Sequence, residues 1–285
     1  MPLTREIPSA VRYLVPGAVA GIVSFAFSRV MIEPLIGAAV DYEGAREYTE
    51  SHLARGGHGH ELFTRAVQEN VGAAVGVVVF GIVMGVLFAL AYTTIRTVLE
   101  RRSLTPDPTG LALLLAAGMF VAIVVMPSLK YPANPPTVGL EETIGARSSS
   151  FLTITVISVV GACMALAAGL AWSRRWGTWR ASALAVASYA AVTLCAMALL
   201  LPGFHEVPGP LSGPDGLVLD GFPAEVLAEF RLYSLVNQAL MWLVIGATWA
   251  CLAALPRMST NGPLTVGVRR RYGRTASAAP ELGRK

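Results

Sequence analysis

Histidines and carboxylates cluster in one stretch of a chain that is otherwise poor in charge. Between positions 33 and 61 stand Glu33-Pro34, Asp41, Glu43, Glu47, Glu50 and His52, followed by His58-Gly59-His60-Glu61. Imidazole with carboxylate suits Zn, Ni, Co or Cu(II), and Gly56, Gly57 and Gly59 free the backbone to wrap a small ion. The composition fits a metal-capture site and a solvated polar loop equally. His60-Glu61 begins like a zinc-protease helix, but Thr64 stands where the second helical histidine belongs, so that chemistry is excluded. No nucleophile and base stand at a recognisable spacing, and an enzyme is not expected.

A second set of residues combines polarity with apolar surroundings. Arg29 and Glu33 stand four apart on one predicted helix and can pair there. Charges at membrane depth cost about 2.5 to 3.5 kcal/mol each on insertion scales, which marks such positions as paired or as part of a path. Pro34 is expected to end or kink the helix and to free carbonyls beside Glu33. Lys130-Tyr131-Pro132-Ala133-Asn134-Pro135-Pro136 reads as an extended segment whose carbonyls and Asn134 either line a cavity or cross the surface. His205-Glu206, Arg231, Asn237 and Gln238 complete the set, with the two amides inside an apolar stretch. Together Glu33, His52, His58, His60, Glu61, His205 and Glu206 are the candidate metal ligands. Arg29, Lys130, Asn134, Arg231, Asn237 and Gln238 are the candidate pathway residues.

The elements that must position these groups are membrane helices. Charged residues are 14% of the 285 and mean hydropathy is +0.58, values that reject a soluble fold. About 20 apolar residues cross a hydrocarbon core of about 30 Å. Five runs free of charge, at about 71–95, 110–129, 151–172, 181–201 and 232–255, and a sixth apolar segment at about 12–32 that meets Arg29, predict an all-α bundle with six spans. The first run also has features of a signal peptide, but helical pattern continues through Arg29 to Glu33, which favours a span. Residues 1–255 then form one membrane domain, and 256–285 a basic tail expected to be disordered near anionic headgroups. Cys163, Cys195 and Cys251 fall in the spans and read as small buried residues. Small residues spaced by four, such as Gly17 with Gly21 and Gly81 with Gly85, predict close helix packing.

Six spans place both termini on one side, and the charges separate accordingly. Fifteen of the 22 basic residues fall on the terminal side, including Arg96, Arg101 and Arg102 and the Arg174, Arg175 and Arg180 group beside span ends. The positive-inside rule makes that side cytoplasmic. Fourteen of the 18 acids and all four histidines fall on the other side, on the loops 33–70, 130–150 and 203–231. The net charge of +4 is therefore a topology signal and not a nucleic-acid signal. An acidic outer face concentrates cations.

These outer motifs, Glu33-Pro34, the run from Lys130 to Gly139 with Glu142-Thr143-Ile144, and Glu206-Val207-Pro208 with Phe222-Pro223-Ala224 and Phe230-Arg231-Leu232, resemble the CbtA family of predicted cobalt transporter subunits. The resemblance covers about residues 10–255 and implies a multi-pass protein of the bacterial inner membrane associated with cobalamin synthesis. It also implies a small partner, CbtB, with a single span and a histidine-rich end. The cargo implied is Co2+, with Ni2+ or Zn2+ equally open to this ligand chemistry and no permanently bound cofactor expected. No Gly-x-x-x-x-Gly-Lys-Ser/Thr loop is present, so energy is expected from an ion gradient, the membrane potential or a partner. The alternative from another class is a non-transporting scaffold or metal-sensing subunit for a partner channel.

Overall fold

A computed structural model of the chain describes residues 9–54, 72–213 and 216–254. The described residues all belong to one compact unit, Met1–Ala254, and the predicted tail at 256–285 lies outside them. Among the described residues eight α-helices carry the fold: α1 (Ser9–Phe27), α2 (Glu33–Ala54), α3 (Ala73–Arg101), α4 (Pro108–Phe120), α5 (Met126–Ser128), α6 (Ile144–Trp176), α7 (Thr178–Leu200) and α8 (Ala224–Ala254). The π-helical turn Ser28–Ile32 joins α1 to α2, and a second, Val121–Val125, joins α4 to α5. Six helical stretches among the described residues are long and apolar enough to cross a membrane: Tyr13–His52, Ala73–Arg101, Pro108–Ser128, Glu141–Trp176, Thr178–Leu200 and Ala224–Ala254. This is the expected six-helix membrane architecture, and the protein is a multi-pass membrane protein.

The helices outrun the apolar stretches that announce them. Residues 33–54, expected as loop, are helix, and the last helix begins at Ala224 rather than near residue 232. Pro34 does not end the first span. In the wide turn before it the Glu33 N–H bonds the Ser28 carbonyl, five residues back, so the missing proline donor falls at the start of a new α-helical register. Pro127 repeats the arrangement, with the Met126 N–H on the Val121 carbonyl. The only strands among the described residues are a short antiparallel pair, β1 (Leu211–Gly213) and β2 (Gly216–Leu219), with Leu211 opposite Leu219 and Gly213 opposite Gly216.

Packing follows the small-residue pattern where α1 crosses α3. A Cβ placed on Gly85 would stand 2.5 Å from the Gly17 Cα, and one on Gly81 would stand 2.7 Å from the Gly21 Cα, so these backbones touch directly. Beside them Phe88, Tyr92, Met241, Trp242, Ile245 and Trp249 form the main buried cluster with Ala20, Ala112 and Ala116. The α6–α7 hairpin turns on the single residue Gly177, whose φ of +78° suits glycine. Between those helices Ser158 and the Tyr189 hydroxyl lie 2.6 Å apart. Many large apolar side chains point outward, among them Leu114, Met164, Val186 and Leu199, as lipid-facing surface requires. The three cysteines belong to that outer surface. Cys163, Cys195 and Cys251 are exposed, which corrects their reading as buried, because apolar side chains in a bilayer gain nothing by turning inward.

Candidate functional site

Three connections meet at one end of the bundle and lock together there. Ala39 of α2, Val138 of the proline-rich connection and Phe222 before α8 form a small buried cluster, flanked by Tyr42, Val226 and Leu227. The Phe222 N–H bonds the Pro208 carbonyl at 2.9 Å, closing the base of the β1–β2 excursion. From α2, Arg46 donates to the Gly209 carbonyl at 2.9 Å and pairs through Nε with Glu50 at 2.9 Å, while the Tyr42 hydroxyl donates to the Asp220 carbonyl at 3.2 Å. Thr137, at φ +73°, donates its hydroxyl to the Ala39 carbonyl at 3.3 Å. The extension of the first span beyond Glu33 is thus the post to which the other two connections are tied.

Glu206 is the hub of this clasp. Its Oε2 accepts from the Leu140 N–H at 2.9 Å and the Thr143 hydroxyl at 2.8 Å, with Arg147 Nε at 3.5 Å. The Leu140 N–H, helped by Thr143 and Arg147 and opposed by partial burial, holds the Glu206 carboxyl below its ordinary range. Arg147 also donates to the Leu140 carbonyl at 3.1 Å, and its guanidinium fills the space beside Gly139, where φ is +126°. A side chain at 139 would collide with it. An open cleft of about 230 Å³ remains, lined by Arg46, Thr137, Leu140, His205, Glu206 and Pro208.

The remaining candidates fall at several levels. His205 is exposed at the cleft. His52 lies near the far end of α2, with Nδ1 3.1 Å from the Tyr48 carbonyl and its ring 4.1 Å from that of Tyr48. His58, His60 and Glu61 lie outside the described residues. Arg29 is exposed and Glu33 half-buried, and the pairing that their spacing allows is not among the ion pairs of the described residues. The π turn between them changes the angular register on which that pairing depended. Lys130 caps the end of α7 with bonds to the Met197 and Leu201 carbonyls at 2.7 and 2.8 Å, and the Tyr131 hydroxyl donates to the Pro202 carbonyl at 2.7 Å. Asn134 Oδ1 accepts from Arg231 Nη2 at 2.8 Å and Nε at 3.3 Å, tying the proline-rich connection to α8. Asn237 and Gln238 are half-buried within α8.

Sequence reasoning singled out Glu206 and named Thr143 only within a motif, and it missed Arg46 and Arg147, their neighbours in the clasp. The spacing of Thr143 and Arg147, one helical turn apart after a glycine, was the available signal. Among the described residues no group of three or more His, Cys, Asp or Glu could hold a metal ion. A family model described as "Probable cobalt transporter subunit (CbtA)" matches residues 10–254, nearly the whole helical body. No curated protein and no solved structure matches the chain.

Proposed function

The chain belongs to the CbtA family of probable cobalt transporter subunits, and from that premise we propose that it brings Co2+ into the cell from an outward-facing clasp end. The observation that carries this reading is the match over residues 10–254, which covers all six membrane-capable helices and the three connections of the clasp. Orientation follows from charge: with fifteen of 22 bases on the terminal side, that side is cytoplasmic and the histidine side faces out, in a bacterial inner membrane.

Metal capture is assigned to His52, His58, His60 and Glu61, with Glu33 and His205 receiving the ion. His58, His60 and Glu61 belong to the segment 55–71, outside the described residues, and among the described residues no three-ligand group is present. Glu206 takes a restricted part, because three donors crowd its Oε2 and only Oε1 remains for an ion. A divalent ion moving inward gains roughly 4.6 kcal/mol per 100 mV, twice the value for one charge, so the membrane potential suffices as driving force. The family description as a subunit supports a partner, and a small single-span histidine-rich protein of the CbtB kind fits the role of delivering metal. Ligand chemistry leaves Ni2+ and Zn2+ as competing cargoes.

Cobalt uptake by cells carrying Glu33→Ala, or His58→Ala together with His60→Ala, tests the assignment. Uptake should fall at low external Co2+ and recover at high concentration for the histidine pair. Unchanged uptake in both variants at normal protein levels overturns the route. Metal binding without flux points to a scaffold or sensor.

A further inference from the structure

The bundle buries polar atoms that the clasp does not use. Ser24 of α1 is completely buried, and its Oγ has no hydrogen-bond partner. Oδ1 of Asn237 on α8 is also buried and unpartnered, as is Nε1 of Trp242, which is 1% exposed. An amide oxygen and a hydroxyl left unpaired away from water are unfavourable, and in a membrane no solvent is at hand to relieve them. The usual role of such groups, an interhelical hydrogen bond, is not the one observed.

Packing brings Ser24 and Asn237 to one level, with Trp242 more than a turn below them. Tyr13 packs on Trp249 with ring centroids 5.8 Å apart and Phe27 on Tyr233 at 6.5 Å, so α1 and α8 run antiparallel with Ser24 level with Val236 and Asn237. Ser24 follows Ala20 by four residues and Asn237 precedes Met241 by four, which places each one turn along the same face. Ala20 and Met241 belong to the same buried cluster, with Trp242 and Phe88. Both polar side chains therefore stack on the clasp side of that apolar cluster. Asn237 lies six residues below Arg231, or about 9 Å along the helix at 1.5 Å per residue. Arg231 holds Asn134 of the proline-rich connection above it.

We propose that Ser24 and Asn237 form a polar station for a partly hydrated divalent cation in the outer part of the membrane, between the clasp above and the apolar cluster below. This rests on the transport reading and extends it into the bundle. Both oxygens accept hydrogen bonds from metal-bound water or coordinate a hard or borderline cation directly, and the Trp242 N–H can donate to a water. Phe88, Met241, Trp242 and Ile245 close the route beneath in the conformation described, so a further step must part α1 from α8.

The test uses the full chain in liposomes. Asn237→Leu should lower the initial Co2+ uptake rate at least tenfold, and Asn237→Asp should tighten Co2+ binding at least tenfold while slowing turnover. A second measurement does not depend on those variants folding: Ser24→Cys, in a chain with Cys163, Cys195 and Cys251 replaced by alanine, is labelled with a small thiol reagent, and Co2+ should slow the labelling at least fivefold. If the unaltered chain transports cobalt, yet both Asn237 variants stay within twofold and Co2+ gives no protection at position 24, the station is refuted and the transport reading stands. If Co2+ protects position 24 but no flux occurs, the station stands as a binding site and the transport reading fails. Neither flux nor protection overturns both.

Discussion

Replacing Gly85 by alanine offers a sharp check on the packing because α3 carries its own control. A Cβ at residue 85 would stand 2.5 Å from the Gly17 Cα and 2.6 Å from its nitrogen, both backbone atoms that cannot swing aside. Ordinary contact begins at 3.4 Å, so α1 and α3 must part by roughly 1 Å at their closest approach, in an interior packed too tightly to absorb it. Overpacking of this kind costs about 1–3 kcal/mol. A Cβ at Gly76 on the same helix meets nothing within 4 Å, and there alanine brings only its better helix propensity, up to about 1 kcal/mol. The propensity gain is common to both changes, so the difference between them isolates the helix contact. Unfolding of Gly85→Ala and Gly76→Ala in the same bilayer mimic should separate the two by at least about 1 kcal/mol, with Gly76→Ala at or above the parent. Equal stability of the two variants would refute the direct backbone contact of α1 with α3.

Further outcomes concern the clasp. The Glu206 carboxyl is held below its ordinary value, so its contribution to the clasp is present above the ordinary glutamate value of 4.5 and is lost as pH falls through the lowered one. Amide exchange at Leu140 should therefore speed up, relative to its neighbours, on acidification in that range. Glu206→Gln should abolish the difference, and identical profiles in both proteins would contradict the hub role. Lys130→Met removes a charged donor from two helix-end carbonyls and should cost about 1.5–3 kcal/mol in thermal unfolding. Gly139→Ala forces a left-handed residue against the Arg147 guanidinium and should cost about 1–3 kcal/mol while releasing the Leu140 amide to exchange. Unaltered exchange there would count against the contact of Arg147 with Gly139.

The number of spans was legible because a charge-free run of about 20 residues has few alternatives to a membrane helix. Where helices continue past the apolar runs the signal disappears. Residues 33–54 mix acids, tyrosines and glycine without a long apolar run, yet they hold together through the Arg46–Glu50 pair and through Tyr42 and Ala39 against the other connections. Pro34 misled because a proline is read as a break, whereas a wide turn placed just before it turns it into a helix start. Glu206 was visible as a carboxylate beside a histidine, but its partners Leu140 and Thr143 lie 66 and 63 residues earlier, a pairing no local pattern announces. The polar station was half legible: Asn237 is conspicuous in an apolar span, while Ser24 passes for an ordinary small residue until the register of α1 on α8 is known.

Cobalt accumulation by liposomes containing the purified chain, under an imposed inside-negative potential, separates transport from mere binding. A potential of 100 mV acting on two charges is worth about 4.6 kcal/mol, an equilibrium gradient of about three orders of magnitude. Transport predicts that internal Co2+ rises when the potential is applied and escapes when an ionophore dissipates it. Cobalt that binds the chain but never enters the lumen, whatever the potential, would rule out transport by this chain.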